Sequence, residues 1–295
     1  MKELSEPGPL GLGLFPSRED ALETRHTERI HSMDEHPEVS QVAAEAVLTT
    51  ASELHKERTK LAPIDAVRKV TQVSRMFARI VPTYDLMNRL MSAGQDQAWR
   101  QLATALAAPP PDGAALDVAT GTGDLAIALA RQTRYVVGVD VCEPMLEPAA
   151  KKVVQARPKG QVRFMLADAL ALPFQDASFD CVTVAFGVRN MTDLVAVFQE
   201  MRRVVRPGGR VVCLEIMRPR RSFLGICYKF YLTRFIPMMG GLVSRDPDAY
   251  RYLATSVLGF NSPEELRDLM QAAGFSSVTY RTLNFATIAL HVGIR

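Results

Sequence analysis

Cysteine is scarce in this chain. There are four among 295 residues, Cys142, Cys181, Cys213 and Cys227. None forms a CxxC pair and none has a histidine pattern nearby, so the spacing argues against a zinc site and against a disulfide scaffold. Three of the four sit in apolar, strand-like surroundings, which reads as buried thiols in a reducing cytoplasm. Long apolar runs are also missing: no stretch of 18 or more residues is free of charge, so no transmembrane helix is expected. The N-terminus lacks the basic start and apolar core of a secretory signal. It carries too many acids (Glu3, Glu6, Glu19, Asp20, Glu23) for a mitochondrial transit peptide. Net charge is only +3, too small to argue for nucleic acid, and none is expected as a partner. There is no internal repeat. Aromatic residues are nearly absent before residue 66, where Pro, Gly, Glu, His, Arg and Thr dominate. Residues 1–66 therefore read as a disordered or loosely helical extension, with a helix allowed over Val39 to Leu61, and residues 67–295 as the folded domain.

What the chain does have is the stretch AALDVATGTGDLAIAL, Ala114 to Leu129. Ala115 to Ala119 reads as a buried strand. Thr120, Gly121, Thr122 and Gly123 form a turn without bulky side chains. Leu125, Ile127, Ala128 and Leu129 restart an apolar pattern at helical spacing. Strand, glycine turn and helix make the nucleotide-binding corner of an open α/β sheet. Glycine lets the backbone take positive φ and approach a ligand, and the free N–H groups of the helix start point at the same spot. The match to G-x-G-x-x-G/A is a weak signal alone, and the acids discriminate between ligands. A dinucleotide diphosphate would be repelled by Asp117 and Asp124. S-adenosylmethionine carries a sulfonium and an ammonium against one carboxylate. Asp117 at the strand could accept from the ammonium, and Asp124 adds favourable charge or complements the helix dipole. The methyl donor is the better fit.

The remaining pattern supplies the sheet. Helical spacing from about Ala66 to Leu106 (Val70, Val73, Phe77, Ile80) is expected to break or change register at Pro82, and its Tyr84–Asn88 segment suggests a helical lid. Tyr135 to Asp140 is a second strand ending in an acid ~20 residues after the glycine turn, where a carboxylate can accept from ribose hydroxyls. Val162 to Leu166, Phe179 to Ala185 and Arg210 to Ile216 are further strands, the last entered through the turn Arg206-Pro207-Gly208-Gly209. Asp193 to Val205 is helical. Ser262 caps a helix that has Pro263 at its first position and runs to Ala273, with Gly274 after its end. Phe275 to Arg281 and Asn284 to Val292 are joined too closely for a crossover, so they pair as a hairpin. Alternating strands and helices give a parallel doubly wound sheet. The predicted fold is α/β, a seven-stranded Rossmann-like sheet with a terminal antiparallel hairpin, and it resembles the class I S-adenosylmethionine-dependent methyltransferase fold.

Several short motifs narrow this further: Tyr84-Asp85-Leu86-Met87-Asn88, Leu116 to Asp124, Ala171-Leu172-Pro173-Phe174, Ala185-Phe186-Gly187-Val188-Arg189-Asn190 and Tyr250-Arg251-Tyr252-Leu253. Together they resemble the ubiquinone/menaquinone biosynthesis C-methyltransferases, the family that includes the demethylmenaquinone methyltransferases, from about Val70 to the C-terminus. The resemblance implies S-adenosyl-L-methionine as cofactor, bound by Thr122, Asp140, Asp168 with Ala169, and Ala185. The residue reading adds Asp117, Gly121 and Gly123. Some members carry Ser where Ala185 stands, so a hydroxyl contact is lost here. The implied reaction is carbon methylation of a prenylated quinol ring, demethylmenaquinol to menaquinol, or the benzoquinol precursor of ubiquinone. A non-catalytic quinol-binding scaffold is the rival from another class. Arg189 is the expected phenolate partner, because guanidinium is permanently charged and offers several donors. Tyr84 and Asn190 are expected to hold the ring hydroxyl. No metal is expected. Arg218 to Val243 mixes apolar and basic residues, which suits peripheral membrane association, a prenyl-tail groove, or an ordinary helix packed on the core. Oligomeric state, a homo-oligomer included, is open.

Overall fold

A computed structural model describes residues 64–295. The expected extension up to residue 63, and with it the helix allowed over Val39 to Leu61, lies outside the described residues. Helix α1 (Ile64–Ser92) leads into α2 (Gln95–Ala107), β1 (Ala114–Val118), α3 (Asp124–Leu129), β2 (Tyr135–Asp140), α4 (Glu143–Ala156), β3 (Gln161–Leu166) and β4 (Phe179–Ala185). A single 3-10 turn, Val188–Asn190, precedes α5 (Leu194–Val204) and β5 (Val205–Ile216). An outer helical segment follows, α6 (Phe223–Phe230), a π turn at Tyr231–Phe235 and α7 (Ile236–Val243). The chain closes with α8 (Pro247–Leu258), α9 (Pro263–Ala272), β6 (Ser277–Leu283) and β7 (Ile288–Ile294).

The seven strands form one sheet in the order β3-β2-β1-β4-β5-β7-β6. The first five run parallel; β7 runs antiparallel to both β5 and β6. The expected seven-stranded sheet with a terminal hairpin is therefore what forms. Its central strands read as continuous apolar runs because both faces are covered. On one face Val197, Phe198 and Met201 of α5 and Leu266 and Met270 of α9 pack against Leu116, Val118 and Val184. On the other, Ala103 and Ala107 of α2 and Leu125 and Leu129 of α3 pack against Ala115, Cys181 and Val212. A third cluster sits beyond the carboxyl ends of the strands. There Met76, Ile80 and Met87 of α1 meet Leu232, Ile236 and Tyr250.

Two local expectations need correction. Helix α1 runs through Pro82 without a break. Proline removes one helical N–H, but Met76, Ile80 and Met87 on either side of it are anchored in one cluster, which holds the two halves in line. The real break comes at Ala93 and Gly94, both left-handed (φ 49° and 77°), with the Gly94 N–H donating to the Arg89 carbonyl at 2.8 Å. Finally, Arg206–Gly209 is not a turn before β5 but a bulge inside it: Phe179 pairs with Val205 and Cys181 with Arg210, and Gly208 supplies the positive φ of 77°. Helix α9 starts as expected, with a reciprocal capping box between Ser262 and Glu265. Cys142, Cys181 and Cys213 are buried free thiols and Cys227 is an exposed one.

Candidate active site

Two cavities lie at the carboxyl ends of the strands, and Phe77, Tyr84 and Phe186 line both. The first, here the strand-end cavity, gathers Gly121, Asp140, Asp168, Ala169, Ala185 and Asn190. These come from the turns after β1, β2, β3 and β4, which parallel topology brings to one edge. Gly121 has φ 54°, and a Cβ built there would lie 4.0 Å from the Tyr84 ring. Its N–H donates to Asp140 Oδ2 at 2.8 Å, and the Cys142 N–H donates to Oδ1 at 2.8 Å. The carboxylate is thus aimed by backbone at both oxygens, with lone pairs left over for a ligand. Burial pushes the Asp140 carboxyl up, and those backbone N–H groups pull it back. Asp168 accepts from the Leu170 N–H at 2.9 Å through one oxygen.

Asp117, Thr122 and Gly123, also expected to bind the donor, are not among the residues lining this cavity. Asp117 is 1% exposed. It accepts from Thr120 Oγ1 at 2.7 Å and Thr183 Oγ1 at 2.8 Å, and burial pushes its carboxyl up to about 6. It holds Thr120, and so the turn. Thr122 donates to Asp85 Oδ1 at 2.6 Å and accepts from Lys152 Nζ at 2.9 Å. Gly123 (φ 81°) is packed against Phe164, 2.8 Å from where a Cβ would sit. Asp124 is paired with Lys152 and, at 2.8 Å, with Arg89. Burial opposes its charge, but Lys152 and Arg100 outweigh that and hold its carboxyl down to about 2. Its negative charge is spent inside a network joining α1, α3 and α4 rather than offered to a ligand.

The second cavity is walled by side chains from helices and is largely aromatic: Trp99, Tyr228, Tyr231, Tyr250 and Tyr252 surround it. Arg189 lines it, though not as a free cation. Its Nη1 donates to Glu215 Oε1 at 2.7 Å and to the Phe186 carbonyl, and its backbone N–H reaches Glu215 Oε2 at 3.3 Å. The pair is buried, with side chains 7% and 0% exposed. Arg189 Nε is buried without a partner among the described residues. Asn190 sits across in the strand-end cavity and accepts from Tyr252 hydroxyl at 3.2 Å. Burial raises the Tyr84 hydroxyl above its ordinary range, and the charges of Arg100 and Arg189 pull it back. Tyr84 is therefore a neutral hydrogen-bonding group on the wall between the cavities.

The sequence reading missed two residues. Glu215 is an acid inside an apolar strand, the same signal that singled out Asp117. Arg100 faces the second cavity from α2, where an isolated arginine in an amphipathic helix looks like surface.

The geometry fits S-adenosylmethionine: a backbone approach at Gly121, a fixed carboxylate after β2 and small residues at Ala169 and Ala185. Among the described residues no cluster of His, Cys, Asp or Glu could hold a metal ion.

The model of the ubiE/COQ5 methyltransferase family matches residues 65–295. The demethylmenaquinone methyltransferase of Thermus thermophilus is 48% identical over 223 residues, 75% of this chain and 100% of that one. That of Roseiflexus sp. (strain RS-1) is 45% identical over 239 residues, 80% of this chain and 98% of that one. The ubiquinone/menaquinone biosynthesis C-methyltransferase UbiE of Geobacter sulfurreducens is 42% identical, covering 76% and 89%. Among solved structures, a SAM-dependent methyltransferase of Thermotoga maritima, described as a possible histamine N-methyltransferase, superposes with a TM-score of 0.54. It is 22% identical and covers 75% of this chain and 99% of that one, which shows the shared fold. The chain belongs to the ubiE/COQ5 methyltransferase family and is an S-adenosylmethionine-dependent methyltransferase.

Proposed function

We propose that this enzyme methylates a ring carbon of a prenylated quinol, with demethylmenaquinol as substrate and menaquinol as product. The observation that carries the reading is the pair of adjoining cavities: a strand-end one rimmed by carboxylates and an aromatic one carrying buried guanidinium, with Tyr84 on the wall they share. The Thermus and Roseiflexus relatives, 48% and 45% identical, bear the name demethylmenaquinone methyltransferase, which favours the naphthoquinol over the benzoquinol. A binding scaffold would have no need of a built donor site.

When bound, S-adenosylmethionine supplies a methyl group on a positively charged sulfur. Asp140 orients it from the end of β2, and Asp168 and Ala169 flank it. In the aromatic cavity, a quinol ring stacks among tyrosines with its hydroxyl toward the Arg189 guanidinium. Charged N–H donors of the Glu215-paired guanidinium favour the ionised hydroxyl by hydrogen bonding to it, which raises electron density at the neighbouring ring carbon. The methyl that the donor would supply would be placed against that carbon, whose own proton would pass to solvent as the ring regains aromaticity. Glu215 fixes the guanidinium, so no reorganisation is needed during the reaction. Tyr84 and Asn190, the latter held by Tyr252, bracket the ring. The protein mainly orients the partners and excludes water.

The prenyl tail calls for an apolar surface, and α6 and α7 present one. Phe223, Ile226, Phe230 and Leu242 are 78%, 68%, 66% and 76% exposed, among exposed Arg221, Lys229 and Arg234. The opposite side of the segment, Leu232 and Ile236, is buried on α1 and α8. The segment thus combines a core-packing face with a face suited to lying on an anionic membrane. No described helix is long and apolar enough to cross one.

The test is transfer of labelled methyl from S-adenosylmethionine to short-tailed demethylmenaquinol. Labelled menaquinol is expected. A chain that binds the donor and the quinol but transfers nothing would be the scaffold. Flotation with phosphatidylglycerol vesicles, lost in Phe223→Ser with Phe230→Ser, checks the membrane face.

A further inference from the structure

A second arginine shares the aromatic cavity with Arg189. Arg100 is 7% exposed and lines that cavity from α2. It is anchored through one nitrogen: Nη1 donates to Asp96 Oδ2 at 2.7 Å and to the Asp96 carbonyl at 3.2 Å. Among the described residues its Nη2 and Nε donate to no protein acceptor. A guanidinium carries five N–H donors, so Nη2 and Nε have N–H groups to offer a ligand in the cavity. Asp96 is itself held by Arg89 and by Ser92 Oγ at 3.0 Å, so the anchor is fixed. The Arg100 guanidinium carbon lies 5.2 Å from the centre of the Phe186 ring, while Arg189 binds the carbonyl of the same Phe186. Two buried, acid-paired guanidinium groups thus converge on one residue, in a cavity lined by aromatic groups together with Asn88, Asp96 and Asn284. A ring with a single oxygen would need one of them. A ring with two oxygens would use both.

We propose that Arg100 is a substrate-binding residue that recognises the second ring oxygen, the one remote from the carbon that receives the methyl group. Resting on the functional reading above, this divides the work between two cations. Arg189 holds the hydroxyl next to the reacting carbon. Arg100 sets the ring's direction and selects 1,4-dioxygenated rings over monohydroxylated ones.

Trp99, the chain's single tryptophan, lines the same cavity with its ring centroid 6.3 Å from that of Phe186, so its fluorescence reports ring binding. The experiment titrates that fluorescence with short-tailed 2-prenyl-1,4-naphthoquinol, kept reduced, and with 3-prenyl-1-naphthol, which lacks only the remote oxygen. Methyl transfer is measured on both. The full chain is expected to prefer the quinol. Arg100→Met should erase most of that preference, about 10- to 100-fold, the loss of one charge-assisted hydrogen bond. Arg100→Lys, which keeps a cation beside Asp96 but lacks the planar fork, should fall between. If Arg100→Met does not fold, the lysine variant carries the same comparison. An equal loss on both ligands, or no loss on either, overturns the assignment while leaving quinol methylation standing. Absence of quinol turnover by the unaltered chain overturns the functional reading, and this one with it.

Discussion

The two cavities meet at the ring of Tyr84, yet they are made of different material. The strand-end cavity is built from backbone and short side chains. Its carboxylate, Asp140, is aimed by two N–H groups from turns that follow β1 and β2. The aromatic cavity is built from long side chains on α1, α2, α8 and the π turn. Its charges come as buried pairs, Arg189 with Glu215 and Arg100 with Asp96. A donor common to many enzymes can be met by a short local motif. A large ring must be enclosed, and only packed helices from distant parts of the chain can enclose it.

The sharpest test of this contrast is to break a pair. Arg189→Ala leaves Glu215 buried without a counterion. It should cost about 3–5 kcal/mol of stability and lower methyl transfer by roughly 10²–10³. Combining Arg189→Met with Glu215→Gln should return most of the stability, read by urea titration, but not the turnover. Recovery of both would make the pair a packing device and leave the ring hydroxyl to Tyr84 and Asn190.

On the other side, Asp117 and Asp140 separate structure from binding. The Asp117 carboxyl stands at about 6 in the folded protein against an ordinary 3.8. Between pH 4 and 6 the unfolded chain ionises this group while the folded one keeps its proton, so stability falls as pH rises through that window. Asp117→Asn lacks the fall. From pH 4 to pH 7 its stability should therefore gain on the parent's by up to about 3 kcal/mol. Its affinity for S-adenosylmethionine should change little. Asp140, whose carboxyl burial also raises, should give a pH-dependent gain of the same sign on Asp140→Ala, but with donor binding weaker by about 1.5–3 kcal/mol for each charge-assisted hydrogen bond lost. Calorimetric titration of both variants settles which acid faces the ligand, and reversed results would exchange their roles.

The smallest effect is expected from the N-terminal residues. The family match begins at residue 65 and α1 at Ile64. A chain starting at Ile64 should keep its thermal midpoint and its turnover. A loss of donor binding would make the preceding residues part of the domain.

The sequence by itself determined the alternation of strand and helix, the antiparallel end of the sheet and the edge where ligands gather. These follow from periods of hydrophobicity, from a glycine turn after an apolar strand, and from a link too short for a crossover. Asp140 stands out in the sequence because its distance from that turn marks it. Asp117 looked equivalent, an acid at a strand, and its partner Thr183, 66 residues away on a neighbouring strand, could not be read. Pro82 looked like a helix end because the rule for proline is local, while the cluster that keeps α1 intact includes Leu232 and Tyr250. Only the tertiary structure decided that Arg189 is neutralised by Glu215 and that Arg100 turns inward beside Trp99. Burial and pairing are properties of the assembled helices, and the charge a cavity offers is what remains after its neighbours have been counted.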